Sequence, residues 1–397
     1  MSRKGVRSRL ATALLVTMFA GTTTLACAAW QASHHAKLDA GVWPSILIGF
    51  LYWFHIAAGG LAFLMIQYLT GGAWGVMGRR LFETASITIP LFAIPVAIIT
   101  AIGLPQLYEW ARPEALSDPI LVKKAAYLNV SGFALRGIIY FLVWTALALI
   151  LVRFARPSIA NQQGVTSPRQ KCARVSGPGV VLYGLTMTFA SIDWVMSLEP
   201  HWYSSLFGGL FVAGQLLSAL AFSIVVLALL ANRQEVRAYL GKRHFHDFGK
   251  LLLAFVMLWA YLSFSQFLII WSGNLAEEAP YYLKRLRGGW QVVALALIVA
   301  HFALPFLILL SKNVKRQPTK LMSVAVFILI MRFLDIEYMV RPAITAHLTS
   351  AMVIADLLAI GAFGLVWIVL FGRLLMRTSI LPFDDPAFVE AVEHGKH

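Results

Sequence analysis

Apolar runs of about 20 residues, the length an α-helix needs to cross a bilayer, recur along this entire chain. Ten are read from the sequence, at residues 10–30, 45–69, 85–105, 130–152, 179–199, 204–231, 248–271, 289–311, 320–340 and 350–374. In lipid every backbone N–H and C=O must find its partner within the protein, so each run is expected to be a helix. A membrane β-barrel would show short alternating segments instead, and the sequence has none. The fold class expected is therefore an all-α integral membrane protein. Composition agrees: 59% of the 397 residues are hydrophobic and only 13% are charged, whereas a soluble domain carries about a quarter.

Charge gives an orientation. Of the 33 Lys and Arg residues, 23 fall in or beside the loops on the side of the N-terminus and 8 in the alternate loops. Basic loops stay in the cytoplasm, which places both termini there. The net charge of +15 is thus a topology signal and a poor sign of nucleic-acid binding. The first run imitates a secretory signal, with Arg3 to Arg9 before it and Ala26-Cys27-Ala28 after it. Thr24-Leu25-Ala26-Cys27 also approaches a lipobox, without its usual Leu three residues before the Cys. The run is long enough to span, and an uncleaved helix is expected.

Two cysteines, Cys27 and Cys172, cannot hold an iron–sulfur cluster, and no C-x-x-C-H attaches a haem. No dinucleotide fingerprint, Walker loop or nucleophile elbow is present. No covalently bound cofactor is expected here.

One internal echo organises the chain. Ile192-Asp193-Trp194-Val195-Met196-Ser197-Leu198-Glu199-Pro200 closes the fifth run, and Leu334-Asp335-Ile336-Glu337-Tyr338-Met339-Val340-Arg341-Pro342 closes the ninth. In both an aliphatic residue precedes the Asp and a Pro follows it seven residues later. Ser45-x-Leu47-x-Gly49 and Ser204-x-Leu206-x-Gly208 match at the starts of runs two and six. Four spans separate the copies, so the repeat is parallel. The expected organisation is an N-terminal segment with the first span (1–44), two four-helix bundles (45–203 and 204–342), a tenth span (343–379) and a solvated cytoplasmic tail (380–397). A polar, basic linker is expected over 153–177.

An ionisable side chain inside a span costs roughly 2.5–3.5 kcal/mol on insertion scales and needs a partner or a task. Asp193, Asp335, Glu337 and Asp356 lie towards the outer ends of their spans, with Glu199 and His201 at the mouth. Arg136 and Gln266 lie at similar depth; His55, Gln215, His301 and Arg332 lie nearer the middle. Arg332 and Asp335 share a helix face at i,i+3, either as a self-neutralising pair or as a proton or quinone-headgroup site. Asp193 divides evenly between helix-end polarity and function, and interfacial polarity is preferred for Glu199 and His201. His55 and His301 raise a haem b alternative, but no helix carries the paired histidines of a two-haem arrangement; packing or hydrogen bonding is expected of both.

One block is more specific. It runs His246-Asp247-Phe248-Gly249-Lys250-Leu251, Phe255, Trp259-Ala260-Tyr261, Phe264-Ser265-Gln266-Phe267, Ile270-Trp271, Asn274, Glu277-Glu278 and Tyr282. With Asp193-Trp194, Ser197 to Ser204 and Phe207-Gly208, it resembles the polysulfide-reductase-type (NrfD-like) membrane subunits of alternative complex III, nearest to the smaller of the two such subunits in that complex. The likeness covers spans two to ten; Ala276 stands where Pro would be expected. The resemblance implies two four-helix bundles with flanking helices, in a bacterial inner-membrane complex that oxidises quinol. It implies that haem c and iron–sulfur clusters sit in partner subunits, a multihaem cytochrome c and an iron–sulfur protein, beside a sister NrfD-like subunit. It further implies that the sister subunit holds the quinol, while this chain contributes a proton route. Asp193, Arg332, Asp335, Glu337 and Asp356 are the residues expected on it.

Two alternatives stay open. A pure scaffold would pair its carboxylates with Arg136 and Arg332. A stand-alone proton-coupled transporter would be favoured by inverted repeats or helices broken in mid-span, and neither is expected.

Overall fold

A computed structural model describes residues 42–155, 167–377, 379–383, 385 and 387–396. The first expected span, Cys27 and the centre of the basic linker lie outside them. The described residues form helices and connecting turns, without strands. The long helices are α1 (Val42–Thr70), α2 (Ala73–Leu107), α3 (Val130–Ala155), α4 (Pro168–Trp194), α5 (Phe207–Leu230), α6 (Lys242–Gly273), α7 (Trp290–Leu310), α8 (Pro318–Val340) and α9 (Ser350–Leu375). A short α10 (Ala387–Lys396) ends the chain. Among the described residues, eight helices are long and apolar enough to cross a membrane, which makes this a multi-pass membrane protein. The helix outside that set is α8, 23 residues long, whose apolar face is interrupted by Arg332, Asp335 and Glu337.

The helices divide into inner and outer ones. The most apolar window of α1 is 89% buried and that of α5 is 78% buried, against 17% in α9. Small residues allow the inner position. A β-carbon at Gly59 of α1 would meet the Gln215 carbonyl of α5, so the two backbones cross in contact, as small residues permit in lipid. α1 packs on α2, α4, α5, α8 and α9, and α5 packs on α1, α4, α6 and α8. Indole and phenol groups tie the crossings: Tyr52 donates to the Leu329 carbonyl (3.1 Å), and Trp53 to that of Ile360 (2.8 Å).

Three features depart from the sequence expectation. First, α4 begins at Pro168, well before residue 179. Ser167 and Gln170 form a capping box around a proline in the first turn, which nucleates helix in a polar stretch. Second, two spans are interrupted. Helix α2 passes through a 3-10 turn at Ile89–Phe92 and a π turn at Ile99–Gly103, and α7 through a π turn at Leu297–Ala303. Each π turn stops two residues before a proline, Pro105 or Pro305. A proline ring crowds the carbonyl four residues earlier and leaves it without its helical donor; a widened turn absorbs both. Third, the tail is docked on the helices along one face, although Glu390 and Glu393 stay exposed. Asp385 pairs with Arg79 of α2, His244 of α6 meets the Ala391 carbonyl (2.7 Å), and His394 meets Asp247 (2.9 Å). Tyr239, Phe383 and Phe388 close an aromatic cluster beneath it.

Candidate functional site

Towards the opposite end of the helices from that tail lie three separate groups of buried charge. Each is set by the helix that carries it.

The first surrounds Asp193, in the last turn of α4. Its neighbour Trp194 is held against Phe50 and Phe54 of α1, with ring centres 5.1 and 5.4 Å away. Tyr108 fixes the turn by donating to the Trp194 carbonyl (2.9 Å). Asp193 then accepts both forks of Arg136 from α3 (2.9 and 2.8 Å) and the Tyr140 hydroxyl (2.8 Å). A bidentate guanidinium is the strongest match for a carboxylate. Arg136 itself lies 3.9 Å above the Tyr127 ring.

The second group lies deeper. Arg332 of α8 pairs with Asp335, donates to Ser218 of α5 (3.2 Å), and meets Nδ1 of His55 on α1 (3.2 Å). Its guanidinium rests on Gly214, where any β-carbon would collide with it. Trp259 of α6 donates to the same Asp335 oxygen that Arg332 contacts, Oδ2 (3.2 Å). The Trp259 ring in turn covers His301 of the α7 π turn, ring centres 4.3 Å apart. Both His301 nitrogens, and Nε2 of His55, are buried without a hydrogen-bond partner. His55 faces Phe211 edge-on at 4.6 Å. One imidazole is engaged through Nδ1 by Arg332, and the other is covered by the Trp259 ring. Among the described residues no three His, Cys, Asp or Glu side chains gather as metal ligands.

The third group joins α8 to α9. Arg341 pairs with Asp356 through two nitrogens, Nε at 2.9 Å, and donates to Ser45 of α1 (2.8 Å). Glu337 enters the same pocket beside Asp356. It is buried, and neither carboxyl oxygen finds a hydrogen-bond donor. Two carboxyl groups therefore share one guanidinium. With both ionised, a negative charge would sit uncompensated in a low dielectric, which is costly.

Glu199 and His201 part company. Glu199 is buried and accepts from Arg285 (2.7 Å) and Lys284 (3.1 Å). Arg285 is wholly buried, 3.5 Å over the Tyr281 ring, which stacks on Trp202 at 3.8 Å. The same guanidinium donates to the Tyr338 and Met339 carbonyls at the end of α8 (both 3.2 Å). One arginine thereby binds the two echoed helix ends to each other. His201 is exposed and touches Asp118 at 2.6 Å. Gln266 bridges Ser204 (3.2 Å) and the Tyr282 hydroxyl (3.4 Å).

Of the expected proton-path residues, the structure joins Arg332 with Asp335 and Glu337 with Asp356, and it leaves Asp193 with partners on α3. Sequence reasoning missed Arg285, Arg341, Tyr140 and Trp259 as site residues. The available signal was charge balance: Glu199 and Asp356 each needed a cation, and Arg341 opens the loop before Asp356 while Arg285 lies in the connection between α6 and α7. Compared with known proteins, the chain matches no family model and no curated sequence.

Proposed function

We propose that this chain is a membrane subunit of a bacterial respiratory quinol:electron-acceptor oxidoreductase complex of the alternative complex III type. It supports quinol oxidation, carries protons through its interior and anchors redox subunits. It is an accessory subunit with no redox centre of its own. Its partners hold haem c and iron–sulfur clusters, and a sister NrfD-like subunit lies beside it. Quinone serves the complex. The chain crosses the inner membrane ten times with both termini in the cytoplasm, as two parallel four-helix units and flanking helices. Helix packing supports that division: α1 to α4 pack as one group, α5 to α8 as another, and α1 against α5 joins the groups.

The observation that carries the proton role is Glu337, buried beside the Arg341–Asp356 pair with neither carboxyl oxygen hydrogen-bonded. The sequence block over spans five to seven supports the family. Purification from its native membrane in mild detergent, followed by mass spectrometry and a visible spectrum, tests the assignment. Co-purifying multihaem cytochrome c and iron–sulfur protein are expected. A chain that purifies alone, without haem absorbance, and moves a solute in vesicles would overturn it.

A second reading, a scaffold without a proton path, is favoured by one fact: Asp193, Asp335 and Asp356 each already hold an arginine. It differs in its expected failure, since variants of those acids would lose assembly before turnover.

A further inference from the structure

The turn between α5 and α6 adjoins an open cavity of about 420 Å³ at the tail end of the molecule. Arg237, Lys242, Arg243 and Arg316 line it, together with the backbones of Gly241 and Gly395. No carboxylate lies within ion-pair distance of these four cations among the described residues; two acids close by are engaged elsewhere. Asp247 holds Lys250 and His394, and Asp385 holds Arg79. Nε of Arg316 is buried without a hydrogen-bond partner. The neighbouring Lys315 amine is pushed below its ordinary value, by burial first and then by the like charge of Lys250.

The backbone adds to this field. Gly241 caps the N-terminus of α6, a 32-residue helix, whose first N–H groups and dipole favour an anion. Gly241 and Gly395 touch so closely that a β-carbon on Gly241 would strike the Gly395 carbonyl. The tail thus forms one wall of the cavity. Like charges gathered on a concave wall repel one another and favour a bound anion.

We propose that this cavity binds a phosphate-bearing anion, and that the bound anion fastens α10 against α6. The shared chemistry is a phosphate oxyanion cradled by arginine forks. Its source is the headgroup of an anionic phospholipid or free phosphate; the lipid source rests on the multi-pass membrane reading, because it needs the cavity at a headgroup layer.

The test uses the full chain, in its native complex where one forms. Native mass spectrometry follows exposure to vesicles of phosphatidylglycerol, to vesicles of phosphatidylcholine, or to inorganic phosphate. Limited proteolysis of the tail is the second readout. Phosphatidylglycerol should be retained about tenfold better than phosphatidylcholine, a difference of about 1.4 kcal/mol, and the tail should become protected. Retention of inorganic phosphate with tail protection would support the site and assign it to the free anion. Arg237→Gln with Arg316→Gln should abolish the preference while leaving the helical circular dichroism intact. Should that variant not fold, the wild-type arms decide alone. Equal retention of both lipids with no phosphate bound, or a tail whose proteolysis ignores all three, overturns the proposal. Because the tail readout does not depend on turnover, this failure is distinct from failure of the respiratory assignment.

Discussion

The ends of α4 and α8 carry the same acid seven residues ahead of a proline, yet they hold it in different company. At α4, Asp193 has Arg136 and Tyr140, and six residues later Glu199 has Arg285 and Lys284. Every buried carboxylate there has a cation. At α8, Asp335 has Arg332, and the position corresponding to Glu199 is Arg341, which serves Asp356. Glu337 has none. The echo therefore keeps the acid and reverses the charge that follows it. A saturated end is suited to holding helices in place; an end one cation short is suited to taking up a proton and releasing it. Arg285 spans the two, binding Glu199 of one and the carbonyls of the other, so the rigid end braces the labile one.

The largest effect is expected where that brace is cut. Arg285→Ala should destabilise the chain by about 3–5 kcal/mol, the usual result of leaving one member of a buried ion pair alone, read as a fall in thermal midpoint in detergent. A midpoint within a degree of wild type would break the comparison at its joint. Next, Asp193→Asn should cost about 2–4 kcal/mol by stranding Arg136, reduced because that arginine is partly exposed. The pair Asp193→Leu with Arg136→Met should recover most of the loss. Failure to recover would mean that the acid does more than hold α3 to α4.

Glu337→Gln should be much milder, within about 1 kcal/mol, since Arg341 keeps Asp356 and no buried cation is stranded. A loss as large as that of Asp193→Asn would erase the distinction between the two ends. The smallest effect is expected at the exposed rim. Asp118 is held below the usual carboxylate range, chiefly by its hydrogen bond to His201 and also by the Ile120 amide. A depressed folded-state value means its contribution is present above the ordinary carboxylate range and fades as pH falls through the depressed one. Asp118→Asn should therefore lower the thermal midpoint slightly near neutrality, with the difference closing in acid. A difference that grew in acid would reverse the assignment.

The helices were legible because lipid leaves the backbone few choices, and apolar length alone marks them. The Arg332–Asp335 pair was also legible, since both lie on one helix three residues apart. Partners from other elements were not. Arg136 reaches Asp193 across 57 residues and Arg341 reaches Ser45 across 296, and no local pattern encodes such contacts. The tail misled for a similar reason. Its acids read as solvated charge until Arg79 is seen to receive Asp385 and α10 to close on α6. The π turns were hidden in plain apolar sequence; only Pro105 and Pro305 hinted at them.

Proton release is the most direct measurement of the central claim, that the α8–α9 end carries a proton during turnover. The complex containing Glu337→Gln would be reconstituted in vesicles, and quinol oxidation and external acidification recorded together. The account predicts an intact complex that oxidises quinol but releases fewer protons per quinol than wild type. The same proton yield per quinol at the same turnover would contradict it.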